Sequence, residues 1–137
     1  MVIITSNAAE RISYDILSTN DEILAISIMD MRGNTLAAKS KESFKKTFGV
    51  TREGDKYGGT LAVTTLALVN EVKNVFEEAQ AVITIHKNSK LMLLPVPSYE
   101  ILVGFVFQRS VNVEDYNIAN TIERLLTDAV KSYNGNL

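Results

Sequence analysis

Few residues of this chain have a type and spacing that could do chemistry. His86 is the only histidine, and there is no cysteine. A zinc site needs several nitrogen, sulfur or carboxylate ligands converging on one point, and no acidic cluster stands near His86 in the sequence. The lack of cysteine removes thiol catalysis and disulfides and fits a reducing compartment. Residues 49–56, GVTREGDK, carry two glycines at the spacing of a phosphate loop. Asp55 stands where that loop needs lysine and Lys56 where it needs serine or threonine, so a carboxylate would face the phosphate and repel it. Gly58-Gly59-Thr60 could aim backbone N–H groups at an anion if a helix starts there; a plain turn and cap is the simpler reading. Serine, histidine and acid do not assemble into a triad, because no G-x-S-x-G elbow is present. The residues therefore offer no catalytic group, no metal site and no cofactor site.

What remains is the elements that would position a surface, and residues 60–79, TLAVTTLALVNEVKNVFEEA, dominate them. Leu61, Leu68, Val72, Val75 and Ala79 form one ladder at helical spacing. Ala62, Leu66, Val69 and Phe76 form a second beside it. A surface helix of a globular domain shows one apolar stripe and a polar back; here the two ladders merge into a wide band. Thr60 is the expected N-cap. Two readings stay open: a helix buried wholly by its own sheet and a neighbouring loop, or a helix with one ladder on the sheet and the other on a second subunit.

The rest of the chain supplies the sheet. A helix is expected over 8–18, capped by Asn7 with Glu10 as box partner. ILAISIMDM at 23–31 reads as a strand buried on both faces, with Asp30 and the Arg32-Gly33-Asn34 turn leading to a return strand at 35–39. Residues 40–59 are the least patterned stretch, with a short helix conceivable over 41–48 around Phe44 and Phe48. Lys45, Lys46 and Arg52 are its candidate partner contacts, against a solvated loop as the plainer reading. After the long helix, 81–87 alternates, with Val82, Thr84 and His86 on one side and Ile83 and Ile85 on the other. Asn88-Ser89 is the expected two-residue turn. A strand at 90–96 follows, whose end Pro95 stops or places on an edge. A long apolar strand at 100–109 contains Gly104, a candidate bulge. Asn112 is expected to cap a last helix over 114–133, with Ile118, Ile122, Leu125, Leu126, Ala129 and Tyr133 on one side. The order α-β-β-α-β-β-β-α gives an α/β sandwich, formally α+β, around a five-stranded antiparallel sheet. Strand order is not decided, because the middle connection is long.

Composition sets the outer limits. The 137 residues fit one domain, 1–137, with 46% apolar residues and a net charge of −2. That charge gives no sign of bulk nucleic-acid binding. No apolar run approaches the roughly 20 residues of a membrane span, and residues 1–13 do not read as a signal peptide. The expectation is a soluble cytoplasmic protein.

The first hairpin ILAISIMDMRGNTLAAKS, the long apolar helix and the segment AVITIHKNSKLMLLPVPSYEILVGFVF at 81–107, in this order, resemble the roadblock/dynein light chain family of the longin and profilin-like group. The resemblance spans about residues 23–133 and rests on patterns of apolarity and turn. It implies a homodimer in which the long helices lie side by side and the following strands pair across the two-fold. On this sequence that maps to Thr65, Leu68, Val69, Val72, Phe76, Val82, Thr84 and His86. It further implies a non-enzymatic adaptor, scaffold or regulator of a small Ras-like GTPase. A histidine near its symmetry mate would make such a dimer sensitive to pH. The alternative within the same group is a profilin-like sensory domain holding a small ligand between sheet and helix.

Overall fold

A computed structural model of the chain describes residues 4–44, 52–77 and 80–113, with 52–59 at the level of the backbone, together with positions 124, 127, 128 and 131. The elements are α1 (Ser6–Thr19), β1 (Ile23–Asp30), β2 (Thr35–Ser40), α2 (Arg52–Glu71), α3 (Lys73–Phe76), β3 (Val82–Ile85), β4 (Ser89–Val96) and β5 (Ile101–Gln108). The five strands form one sheet in the order β2-β1-β5-β4-β3, antiparallel throughout. The mixed α/β architecture and the antiparallel sheet expected from the pattern are thus present.

Strand alternation divides the apolar residues between two faces. One face carries Ile26 and Ile28 of β1, Met92, Leu94 and Val96 of β4, and Ile101, Val103, Phe105 and Phe107 of β5. These pack with Ala8, Ala9, Ile12 and Ile16 of α1 into the main core. The α1 stripe repeats at helical spacing, and Thr5 rather than Asn7 caps it, its Oγ1 accepting from the Ala8 N–H at 3.1 Å. Glu10 is not the box partner; it reaches across to Lys39 of β2 at 3.2 Å. The other face carries a smaller cluster, in which Met29 of β1 and Leu102 of β5 bury Ala62 of α2, flanked by Met31, Leu66 and Leu93. The result is three layers, α1 and α2 on opposite sides of the sheet.

Several boundaries differ from expectation. The long helix begins at Arg52, so Gly58 and Gly59 lie inside it and Thr60 is not its cap. Each glycine costs a helix roughly 1 kcal/mol relative to alanine, which the remaining ordered turns of a 20-residue helix carry. The helix breaks at Val72 (φ −103°, ψ 3°), resumes for the single turn of α3 and stops at Glu77. Glu77 has φ 66° and ψ −175°, a region few residues other than glycine adopt. Glu78 and Ala79 lie outside the described residues.

The β3–β4 turn is Lys87-Asn88, one residue earlier than expected, closed by the His86 N–H donating to the Ser89 carbonyl at 2.8 Å. Gly104 makes no bulge: it sits in regular register between Ser27 and Leu93. The irregularities lie elsewhere: Leu24 of β1 is the extra residue against β5, and Leu36 of β2 is the extra residue opposite Ile28 and Met29 of β1. Among the described residues Pro95 has no ladder partner on its β3 side, as an edge position requires, since β3 pairs with 90–93 of β4. Of the helix conceived over 41–48, residues 42–44 form one helical turn. Arg124, Thr127, Asp128 and Lys131 are helical. All the apolar positions expected of the last helix, Ile118, Ile122, Leu125, Leu126, Ala129 and Tyr133, lie outside the described residues, as do Lys45 and Lys46.

Candidate interaction surface

The two ladders of the long helix part company in the structure. Ala62 is 1% exposed and Leu66 and Val69 are half-buried, so this ladder faces the sheet. Leu61, Leu68 and Val72 of the other ladder are exposed, Leu68 at 64%, and Val75 reaches 76%. Phe76 does not follow its ladder to the sheet; beyond the break at Val72 it is 75% exposed. Full burial of one such side chain is worth about 1.5–3 kcal/mol. Leaving this set in water forgoes that stabilisation several times over.

The strand after the helix offers a second exposed element. β3 is the terminal strand of the sheet, so among the described residues its outer backbone groups have no ladder partner. Val82 and Thr84 are half-buried, and Ile85 and His86 are exposed. Thr84 Oγ1 and His86 Nε2 lie 2.9 Å apart, which puts both side chains on one side of the strand, as the alternation implies. An unblunted edge of four apolar and β-branched residues is a template for a further strand. Of the residues named from the resemblance, Leu68, Val72, Phe76 and His86 are exposed, and Thr65, Val69, Val82 and Thr84 half-buried. Leu61 and Val75 belong to the same exposed set and were legible as ladder members; Ile85 is exposed as well, on the α1 face of β3.

The backbone of 52–56 is helical, so this segment is not a phosphate-cradling loop. Gly58 and Gly59 lie beyond the first four residues of α2, where N–H groups point to carbonyls one turn back rather than to a ligand. Among the described residues no three His, Cys, Asp or Glu side chains converge. Asp30 belongs to the first hairpin, as its position suggested. Its carboxylate accepts from the N–H groups of Arg32 (2.8 Å) and Asn34 (2.9 Å) and from the Asn34 side chain (2.9 Å). Partial burial pushes this carboxyl up, but the bonds from Asn34 and Arg32, with the Arg32 charge, outweigh it and hold it below its ordinary value. Gly33 supplies the turn's φ of 86°.

On the α1 side, at the far end of the sheet, a cavity of about 450 Å³ is lined by Ile83, Ile85, Lys90, Arg109, Ser110, Asn112 and Val113. Sequence reasoning alone misses it, although the signal is there. Lys90 shares its parity with Met92, Leu94 and Val96, and Arg109 with Phe105 and Phe107, so both cations stand on a buried face's register.

No protein-family model matches the sequence, and no curated protein matches it. Solved structures do match. A Roadblock/LC7 domain from Streptomyces avermitilis is 10% identical, with a TM-score of 0.67 over 90% of this chain and 95% of that one. The gliding protein MglB from Thermus thermophilus is 12% identical, with a TM-score of 0.68 over 96% and 95%. An MglB with a tetrameric arrangement is 14% identical, with a TM-score of 0.65 over 94% of each chain. The chain has the fold of a Roadblock/LC7 domain, at an identity that speaks for the fold alone. Among the described residues no helix is long and apolar enough to cross a membrane.

Proposed function

We propose that this protein is a non-enzymatic homodimeric adaptor whose shared platform holds or regulates a small Ras-like GTPase in the cytoplasm. The observation that carries the reading is the outward ladder of the long helix, Leu61, Leu68, Val72 and Val75 with Phe76, together with a β3 edge that has no ladder partner among the described residues. An exposed apolar ladder of this kind marks an interaction site. The helix ladder and the strand edge together suit a second copy, because a two-fold would bring like edges and like helices together. Thr65, Leu68, Val69, Val72, Phe76, Val82, Thr84 and His86 would form that seam. The tetrameric arrangement of a similar MglB supports self-association as a use of this fold.

The dimer would act by shape: pairing two sheets builds a broader platform, and the partner's nucleotide switch is biased by contact with it. The GTPase partner rests on the resemblance to roadblock domains, and Lys45, Lys46 and Arg52 are its candidate contacts. Affinity capture from native cytoplasm with the wild-type chain and the Leu68→Asp chain tests the reading. A small GTPase retained by the wild type and lost with the variant is expected; wild-type captures holding no GTPase would contradict it.

A further inference from the structure

The cavity on the α1 side has a composition that the adaptor reading does not use. It lies where β3, β4 and the end of β5 meet, on the opposite face of the sheet from α2. Its volume, about 450 Å³, is within the range of small-molecule sites, roughly 300–1,000 Å³. One wall is apolar, made by Ile83, Ile85 and the buried Val113; the other carries Lys90, Arg109, Ser110 and Asn112. None of these lining residues is acidic.

The two cations differ in how they are held. Lys90 is half-buried, and its ammonium donates to the Val111 carbonyl at 2.6 Å. That bond pins the segment after β5 across β4 and leaves two of the three ammonium donors for other acceptors. A partly desolvated ammonium with one neutral acceptor is incompletely compensated. Arg109 has no ion pair or hydrogen bond among the described residues, and its guanidinium presents a planar fork suited to a carboxylate. A carboxylate between the two would complete both, with its hydrocarbon part against Ile83 and Ile85.

We propose that this cavity is a binding site for a small amphipathic carboxylate, its headgroup held by Lys90 and Arg109 and its chain by Ile83, Ile85 and Val113. The site shares β3 with the proposed seam but opens on the opposite face of the sheet from α2.

The test follows backbone amide resonances of the full chain during titration with octanoate, with octylammonium, and with inorganic phosphate. Octanoate is expected to shift Ile83, Ile85, Ser110 and Asn112 saturably. Octylammonium should leave them unmoved, and phosphate should act only at much higher concentration. Arg109→Gln should weaken octanoate about tenfold or more, the loss expected for a charge-assisted pair, with the spectrum elsewhere unchanged because Arg109 is exposed. Ile85→Ser should weaken octanoate and leave the phosphate response as it was. The proposal is overturned if octanoate does not saturate, if octylammonium shifts the same amides, if phosphate matches octanoate, or if Arg109→Gln binds octanoate as well as the wild type. Shifts confined to Leu68, Val75 and Phe76 would likewise overturn it, since they would report adhesion to the exposed helix. Sedimentation of the same samples separates this result from any change in self-association.

Discussion

The two faces of one sheet are built very differently. Towards α1, the strands present Ile26, Ile28, Met92, Leu94, Val96, Phe105 and Phe107, and the helix answers with Ala9, Ile12 and Ile16, all buried. Towards α2, the middle of the sheet presents Ala25, Ser27 and Gly104, and the buried cluster is Met29, Ala62 and Leu102. The longer, more apolar helix therefore sits on the thinner core. The difference teaches that apolar content and contribution to folding are separable. α1 spends its stripe on the protomer's stability, whereas α2 touches the sheet with one ladder and turns the other outward.

The largest test of that contrast is a pair of truncations. Phe105→Ala, at a position 1% exposed on the α1 face, should cost about 3–5 kcal/mol in urea unfolding. Leu66→Ala, half-buried on the face of α2 turned to the sheet, should cost less than half as much. Equal losses would mean that both faces carry the fold alike.

A smaller effect separates stability from association. Asp30→Ala removes the acceptor of three hydrogen bonds in the β1–β2 turn and should cost about 1 kcal/mol without altering self-association. Because the folded carboxyl lies below its ordinary value, its contribution is complete above the unfolded carboxylate's pKa of about 3.9. It fades as pH falls through the lowered folded value. The gap between wild type and variant, followed by thermal unfolding from neutral pH downwards, should therefore close below about pH 4. A gap that persists there would assign the loss to something other than the charge.

The smallest effect sharpens the picture of the thin core. A Cβ at Gly104 would meet Leu93 Cδ2 and Met29 Cε at 3.6 Å, ordinary contact distance. Gly104→Ala should thus be tolerated and raise stability by about 0.4–1 kcal/mol, mainly by restricting the unfolded chain. Destabilisation by this variant would show the α2 face to be packed more tightly than its burial indicates.

Much of this architecture was legible from residue patterns, because each strand carries its own alternation or apolar run and α1 its own stripe. Asp30 and Gly33 announced their hairpin by type alone. Strand order was not legible: β5 lies between β1 and β4, a non-local pairing that no local pattern encodes. Gly58 and Gly59 read as a boundary because glycine disfavours helix, yet the helix runs through them. Thr5 and Asn7 are both good caps, and only the backbone distinguishes them. On the surface, the two-ladder band pointed to Leu68, Val72 and Val75, but where the helix breaks, and hence the exposure of Phe76, was not encoded in that periodicity. Lys90 and Arg109 were overlooked because isolated cations at strand ends ordinarily read as solvated, and their meeting depends on the β4–β5 register.

The central claim is that the outward ladder of α2 is covered by a second copy of the chain, and sedimentation equilibrium tests it most directly. At tens of micromolar the wild type should sediment as an assembly of two or an even number of chains. Leu68→Asp, at an exposed position of the protomer, should sediment as a folded monomer with an unchanged circular dichroism spectrum. A wild-type chain that remains monomeric at that concentration, or a Leu68→Asp chain that still associates, would contradict the account.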